Sequence, residues 1–188
     1  MVLPKFKTKI SAEDYLEGEK ISPVKHEFVY GEVYAMAGTT DNHNRIAGNI
    51  YSRLLTDLRN ENCEPFIGDI KVRVNPNVYY YPDVLVSCEE PTDAHFRNEP
   101  ILIVEVTSDS TREIDRREKM AFYLQIPSVQ EYVIVEQKKM LVEIHRRQPD
   151  GRWLTHFYNR ADEEFEFVSV NLKFTVGEIY RRVQFPQN

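Results

Sequence analysis

The sequence predicts a mixed α/β (α+β) domain: a mixed sheet flanked by helices, preceded by an N-terminal hairpin and followed by a C-terminal β-meander. Three observations predict it. Apolar residues recur four apart at Ile46, Ile50, Leu54 and Leu58, the spacing of a helix with one buried face. Segments 66–74, 80–86 and 101–107 are rich in β-branched and aromatic residues. A second helical pattern and a further strand then follow, so helices and strands interleave as they do in a helix-covered sheet.

Taken in order, Ser11 reads as an N-cap with Asp14 at N3, opening a short helix through about Glu19. HEFVYGEVYAMAG reads as two β-rich segments with Gly31 turning between them. Thr40 or Asp41 caps the longer helix, which runs to about Asn60 with Ala47 and Leu55 flanking its apolar stripe. Phe66 to Val74 alternates, with Ile70, Val72 and Val74 on one face and Asp69, Lys71 and Arg73 on the other. Tyr80 to Val86 is β-rich, with Val84 and Val86 opposite Asp83 and Leu85. Ile101 to Thr107 is apolar on both faces except at Glu105, as in a central strand covered on both sides. Ser110 and Glu113 form an S-x-x-E capping box for a helix reaching about Gln125, which Pro127 stops. A strand at 131–136 and a meander from Met140 to about Val168 complete the pattern. After the hairpin the order is α-β-β-β-α-β.

The chain has 188 residues, a length that suits one domain, 1–188, with one core. At 41% hydrophobic and 29% charged the composition is that of an ordinary globular protein. No apolar run approaches the roughly 20 residues of a membrane span. The segment MVLPKFKTKISAEDY lacks the apolar stretch of a signal peptide. Cys63 and Cys88 lack metal spacing and are too few for a disulfide framework, so a cytoplasmic protein is expected. The net charge of −6 disfavours a general nucleic-acid binder, which usually carries a basic patch, although it leaves room for a local one. His26, His95, His145 and His156 show no zinc-like spacing, and neither a Gly-rich phosphate loop nor a G-x-S-x-G elbow is present. Trp153, Phe157 and Tyr158 read as core packing.

Glu105 carries the functional question. An ionised carboxylate buried alone is very costly, and a cationic partner, protonation or a bound metal would each make it tolerable. Asp83, 22 positions upstream, heads a strand that could lie beside it, and Pro82 removes a ladder donor there. Two carboxylates meeting at one place repel unless a cation lies between them. Oxygen ligands from Asp83, Glu105 and the Val106 carbonyl suit Mg²⁺ (or Mn²⁺). A glycosidase-type acid pair would need an open sugar cleft, for which the sequence shows no aromatic signature.

YPDV, a spacer, IVEVTSDSTREIDRREKMAFY and SVQEYVIV, with KHEFVYGEVYAMAG and the His43 helix, resemble the bacterial Uma-type restriction endonuclease family. That family is a branch of the PD-(D/E)XK nuclease superfamily, and the likeness covers about residues 10 to 140. The resemblance implies a restriction-endonuclease-like core, whose strand and helix order matches the one read above. It implies a metal-dependent endonuclease acting on nucleic acid, DNA in the first instance, and a homodimer. Its two metal-binding acids correspond to Asp83 and Glu105. The superfamily's lysine, two residues after the second acid, is here Thr107, a departure that bears on catalysis. Lys119 in DRREK matches a lysine of the family's own motif and is the candidate replacement; its other reading is an i,i+4 surface pair with Asp115. Glu27 matches an acid in the family's N-terminal motif and is either a water-orienting group or a solvated strand acid. Arg112, Arg116 and Arg117 are candidate phosphate contacts near the start of a helix. Asp69 reads as a solvated residue beside Lys71 and Arg73, with a second-metal ligand as its other reading, and His43 as a surface or capping residue, with a catalytic base as its other reading. The rival reading is a catalytically degenerate module on the same scaffold that binds nucleic acid or protein; a hydrolase of some other phosphate ester stands third.

Overall fold

The computed structural model describes residues 9–36, 38–108 and 112–185. Helix α1, Ala12–Glu19, starts as its sequence requires: the Ser11 hydroxyl accepts the Asp14 N–H at 3.0 Å. Strands β1 (His26–Val29) and β2 (Glu32–Ala35) form the hairpin. Its turn places Tyr30 at φ 47° and Gly31 at φ 91°, the left-handed pair that a two-residue hairpin demands. Helix α2, Asp41–Asp57, is capped by Thr40 and buries Ile46, Ala47, Ile50 and Leu54, as its stripe predicts, while Leu55 faces solvent.

The strands β3 (Glu64–Ile67), β4 (Lys71–Asn75), β5 (Val78–Tyr80), β6 (Val84–Ser87), β7 (Phe96–Arg97), β8 (Pro100–Thr107), β9 (Glu131–Glu136), β10 (Val142–Arg147) and β11 (Trp153–Tyr158) are divided between two sheets. One has five strands in the order β2-β1-β5-β4-β7; the other has six, β11-β10-β9-β8-β6-β3. In the larger sheet β8 runs antiparallel to β6 and parallel to β9, so the sheet is mixed and β8 is internal. One face packs Val84, Val104 and Val106 against α2, together with the hairpin β12 (Glu164–Phe167) and β13 (Leu172–Thr175) and the short helix α5 (Val176–Ile179). The other face packs Leu85 and Ile103 against Tyr123 and the smaller sheet's Val72, Val78 and Tyr80.

Several segments differ from their sequence reading, each for a physical reason. The strand expected over 66–74 breaks at Gly68, whose φ of +66° turns the chain from the larger sheet into the smaller. Lys71 therefore does not face solvent; it is buried, and its amine donates to the Tyr81 hydroxyl at 3.1 Å. The strand expected over 80–86 also breaks, because Tyr81-Pro82-Asp83 carries the chain from β5 back into the larger sheet. The helix before Pro127 comprises α3 (Arg112–Ile114), a π-helical turn (Asp115–Lys119) and α4 (Met120–Tyr123); its expected cap, Ser110, lies outside the described residues. Cys63 and Cys88 form a disulfide, because the pairing of Glu64 with Ser87 between β3 and β6 brings the flanking cysteines together. Tyr158 packs on Phe165 at 5.2 Å, whereas Phe157 is exposed on the outermost strand.

Candidate active site

Asp83, Glu105, Glu27 and Lys119 come from four separate elements and converge where the two sheets meet the π-helical turn. Side chains alternate along a strand, so Asp83 and Glu105 share the face of β6 and β8 that carries Leu85 and Ile103. Glu27 lies on β1, on the face of Val29, which packs into the same cluster. Asp83 is fixed through its backbone as well as its carboxylate. Its carbonyl accepts the Gly68 N–H at 3.0 Å, and its Oδ2 accepts the Val106 N–H at 2.7 Å.

Lys119 is buried and reaches three acids. Its Nζ lies 2.8 Å from Glu27 Oε1, 3.1 Å from Glu105 Oε1 and 3.6 Å from Asp115 Oδ1. The pair with Asp115 thus exists, but inside the protein rather than on its surface. Tyr123, one further step of four along the helix, donates its hydroxyl to Glu105 Oε1 at 3.1 Å. Asp115, Lys119 and Tyr123 form one inward stripe along the π-helical turn and α4. Such turns recur at functional sites. Glu27 Oε1 also accepts the Tyr81 N–H at 3.3 Å, which links β1 to the crossover that delivers Asp83.

The electrostatics follow from burial. Loss of solvent raises the Glu105 carboxyl well above the usual carboxylate range; Lys119 opposes this, and Asp115, Asp83 and Glu27 add to it. Burial works against the Lys119 ammonium, but Glu105, Glu27 and Asp115 more than compensate, so its pKa stands well above that of an ordinary lysine. Three carboxylates, those of Glu105, Glu27 and Asp115, therefore surround a single lysine, and Asp83 acts on Glu105 as a fourth.

A divalent cation fits the donors of this site. Among the described residues no three His, Cys, Asp or Glu side chains gather to hold a metal. An ion here would take two carboxylates and a main-chain carbonyl, with water or substrate oxygens completing its shell, the arrangement Mg²⁺ favours. The contacts to the two acids use Oδ2 of Asp83 and Oε1 of Glu105. In a strand the N–H and C=O of one residue leave on the same edge. The Val106 carbonyl therefore leaves β8 on the side from which Asp83 takes the Val106 N–H.

The other sequence candidates are placed as follows. Thr107, expected from the sequence to stand where a lysine would, is buried and donates its hydroxyl to Glu136 Oε2 at 3.0 Å. Arg112 and Arg116 are drawn into pairs with Glu136, and Arg116 also pairs with Glu143, so both are engaged by protein acids rather than held open for phosphate. Arg117 is exposed beside Glu113. Asp69 is exposed and pairs with Lys25, in keeping with a solvated residue. His43 does not sit apart on the surface: its Nε2 lies 3.2 Å from Asp83 Oδ2. Sequence reasoning missed the contact of Tyr123 with Glu105 and that of His43, read as a surface or capping residue or else a base, with Asp83. The polar stripe 115, 119, 123 was a visible signal for Tyr123; nothing in the spacing pointed to His43.

A family model described as "Putative restriction endonuclease", Uma2, matches residues 12–177. Two relatives from Synechocystis sp. are similar to this chain. The uncharacterized protein slr1290 is 35% identical over 94% of this chain and 94% of its own length. The uncharacterized protein sll1609 is 35% identical over 87% of this chain and 97% of its own. A crystal structure described as a "putative nuclease belonging to DUF820", from Anabaena variabilis, superposes with a TM-score of 0.73. It covers 91% of this chain and 97% of that one at 13% identity, a likeness of fold.

Proposed function

The chain belongs to the Uma2 family, described as "Putative restriction endonuclease", and we propose that it is a metal-dependent endonuclease hydrolysing phosphodiester bonds, with DNA as substrate. The observation that carries this reading is an excess of sheltered carboxylates over cations: the buried Glu105 and Asp115 and the partly buried Glu27 surround the single Lys119, and Asp83 acts on Glu105 from beyond them. A buried site with that imbalance is stabilised by a cation.

In this reading Asp83, Glu105 and the Val106 carbonyl hold Mg²⁺ (or Mn²⁺). When bound, the ion withdraws charge from the phosphate and lowers the pKa of water. Water oxygen forms a new bond to phosphorus, the bond from phosphorus to the leaving oxygen breaks, and that oxygen gains a proton as water loses one. Lys119, kept as an ammonium by its acids, donates hydrogen bonds and offsets charge developing on the phosphoryl oxygens. It reaches Glu105 from the helix, in place of a lysine two residues after that acid. Glu27 holds Lys119, and Tyr123 holds Glu105. The same proposal includes a homodimer, since cutting two strands takes two sites, and a cytoplasmic location, where cellular DNA lies.

The test is nicking of supercoiled plasmid and cleavage of single-stranded DNA with Mg²⁺ or Mn²⁺, alongside EDTA and Glu105→Gln controls. Cleavage that needs the metal and is lost in Glu105→Gln supports the reading. A wild type that binds metal yet cuts neither substrate supports the alternative, a non-catalytic binding module. That alternative is favoured by one observation: Thr107 stands at the lysine position and is bonded to Glu136.

A further inference from the structure

Asp83 is approached from both faces of the larger sheet. Glu105 shares one face with it; from the other, helix α2 brings His43, whose Nε2 lies 3.2 Å from Asp83 Oδ2. That same oxygen accepts the Val106 N–H at 2.7 Å. Both contacts therefore converge on Oδ2, and among the described residues none engages Oδ1. The pair is largely sheltered, with side-chain exposures of 15% for His43 and 18% for Asp83.

The placement of His43 is itself built. Its backbone N–H donates to the Thr40 hydroxyl at 3.2 Å, and that hydroxyl donates to Gln137. Gln137 in turn donates to the Thr107 carbonyl at 2.8 Å. This chain of bonds ties the first turn of α2 to the end of β8, two residues beyond Glu105. His43 thus stands in a fixed relation to the strand that supplies the second acid.

We propose that His43 is a positioning residue for the cation site: it holds Oδ2 of Asp83 so that Oδ1 is presented toward Glu105. The inference rests on the reading of Asp83 and Glu105 as cation ligands. The carboxylate torsion of aspartate is broad and roughly two-fold, so one backbone donor leaves it room to turn. A second contact on the same oxygen removes that freedom. His43 acts through Asp83 and touches neither the cation nor the substrate.

The test is calorimetric titration of Mn²⁺ into wild type, His43→Ala, His43→Gln, His43→Asn and Asp83→Ala, with the melting temperature of each measured without metal. A glutamine amide reaches the region of Nε2; an asparagine amide is too short. Loss of such a supporting contact costs about 10–100-fold in metal affinity. His43→Ala and His43→Asn are expected to weaken Mn²⁺ by that factor at an essentially unchanged melting temperature, and His43→Gln to recover most of it. Should His43→Ala not fold, the comparison of His43→Asn with His43→Gln decides. Wild-type affinity in His43→Asn, or no recovery in His43→Gln, overturns the role of His43 and leaves the cation reading standing. A wild type that takes no Mn²⁺ overturns the cation reading itself, and this inference with it.

Discussion

Nζ of Lys119 stands 3.1 Å from Oε1 of Glu105, fourteen residues away along the chain and on a different element. The lysine comes from the π-helical turn and the acid from an internal strand, and both are buried. Removing one member of such a buried pair leaves a charge without its partner, at a cost of about 3–5 kcal/mol. Lys119→Ala is expected to lose stability on that scale in urea denaturation. Adding Glu105→Gln should recover about 1–3 kcal/mol, the coupling typical of residues in one network. Additive losses would show that the two do not act as a pair.

Glu105→Gln alone should behave differently. Lys119 keeps Glu27 and Asp115 as partners when Glu105 is replaced, so the amide leaves no buried cation unpaired. The variant is expected to fold with no loss beyond about 1 kcal/mol, the net worth of a typical hydrogen bond, and to lose metal binding. Strong destabilisation with metal binding intact would mark Glu105 as a structural acid.

Glu105 was legible in the sequence because an acid inside Ile101–Val106 breaks an otherwise apolar run, and burying it needs a reason. The stripe of α2 and the strand 131–136 were legible because each is a local periodicity. The breaks at Gly68 and at Tyr81–Asp83 were not, because they arise from a change of sheet. Gly68 and Pro82 mark where they fall but not where the chain then goes. The Cys63–Cys88 bridge depends on the register of β3 against β6, which a separation of 25 residues does not reveal. Arg112 and Arg116 read as phosphate contacts because their partners, Glu136 and Glu143, lie 20 or more residues downstream.

Glu136 and Glu143 are expected to contribute to the acid limit of the fold. Burial raises both, but hydrogen bonds from Arg112, Thr107 and Arg116 to Glu136, and from His145 and Arg116 to Glu143, leave each below its ordinary 4.5. A carboxyl depressed in the native state contributes stability that is present above its unfolded value and lost as pH falls through its folded one. The urea midpoint is therefore expected to hold down to about pH 4.5 and to drop below it. Glu136→Gln should start lower at pH 7 and fall less steeply under acid. An unchanged acid slope in that variant would remove Glu136 from the explanation.

The disulfide is expected to matter for stability and not for the site. Cys63 and Cys88 lie at the far end of β6 from Asp83, and the bridge closes 25 residues. A loop of that size is worth about 3.5 kcal/mol in the chain-entropy account. Cys63→Ser with Cys88→Ser should lose stability of that order in urea while keeping wild-type Mn²⁺ affinity. A loss of metal affinity would show that the bridge reaches the site.

The most direct measurement is the heat of Mn²⁺ binding to the purified protein, compared with Asp83→Ala under identical conditions. The account predicts a saturable site in wild type that vanishes in Asp83→Ala, with both proteins folded. Absence of binding at millimolar Mn²⁺, or equal binding by both, would contradict it and leave Glu105 as an acid balanced by Lys119 alone.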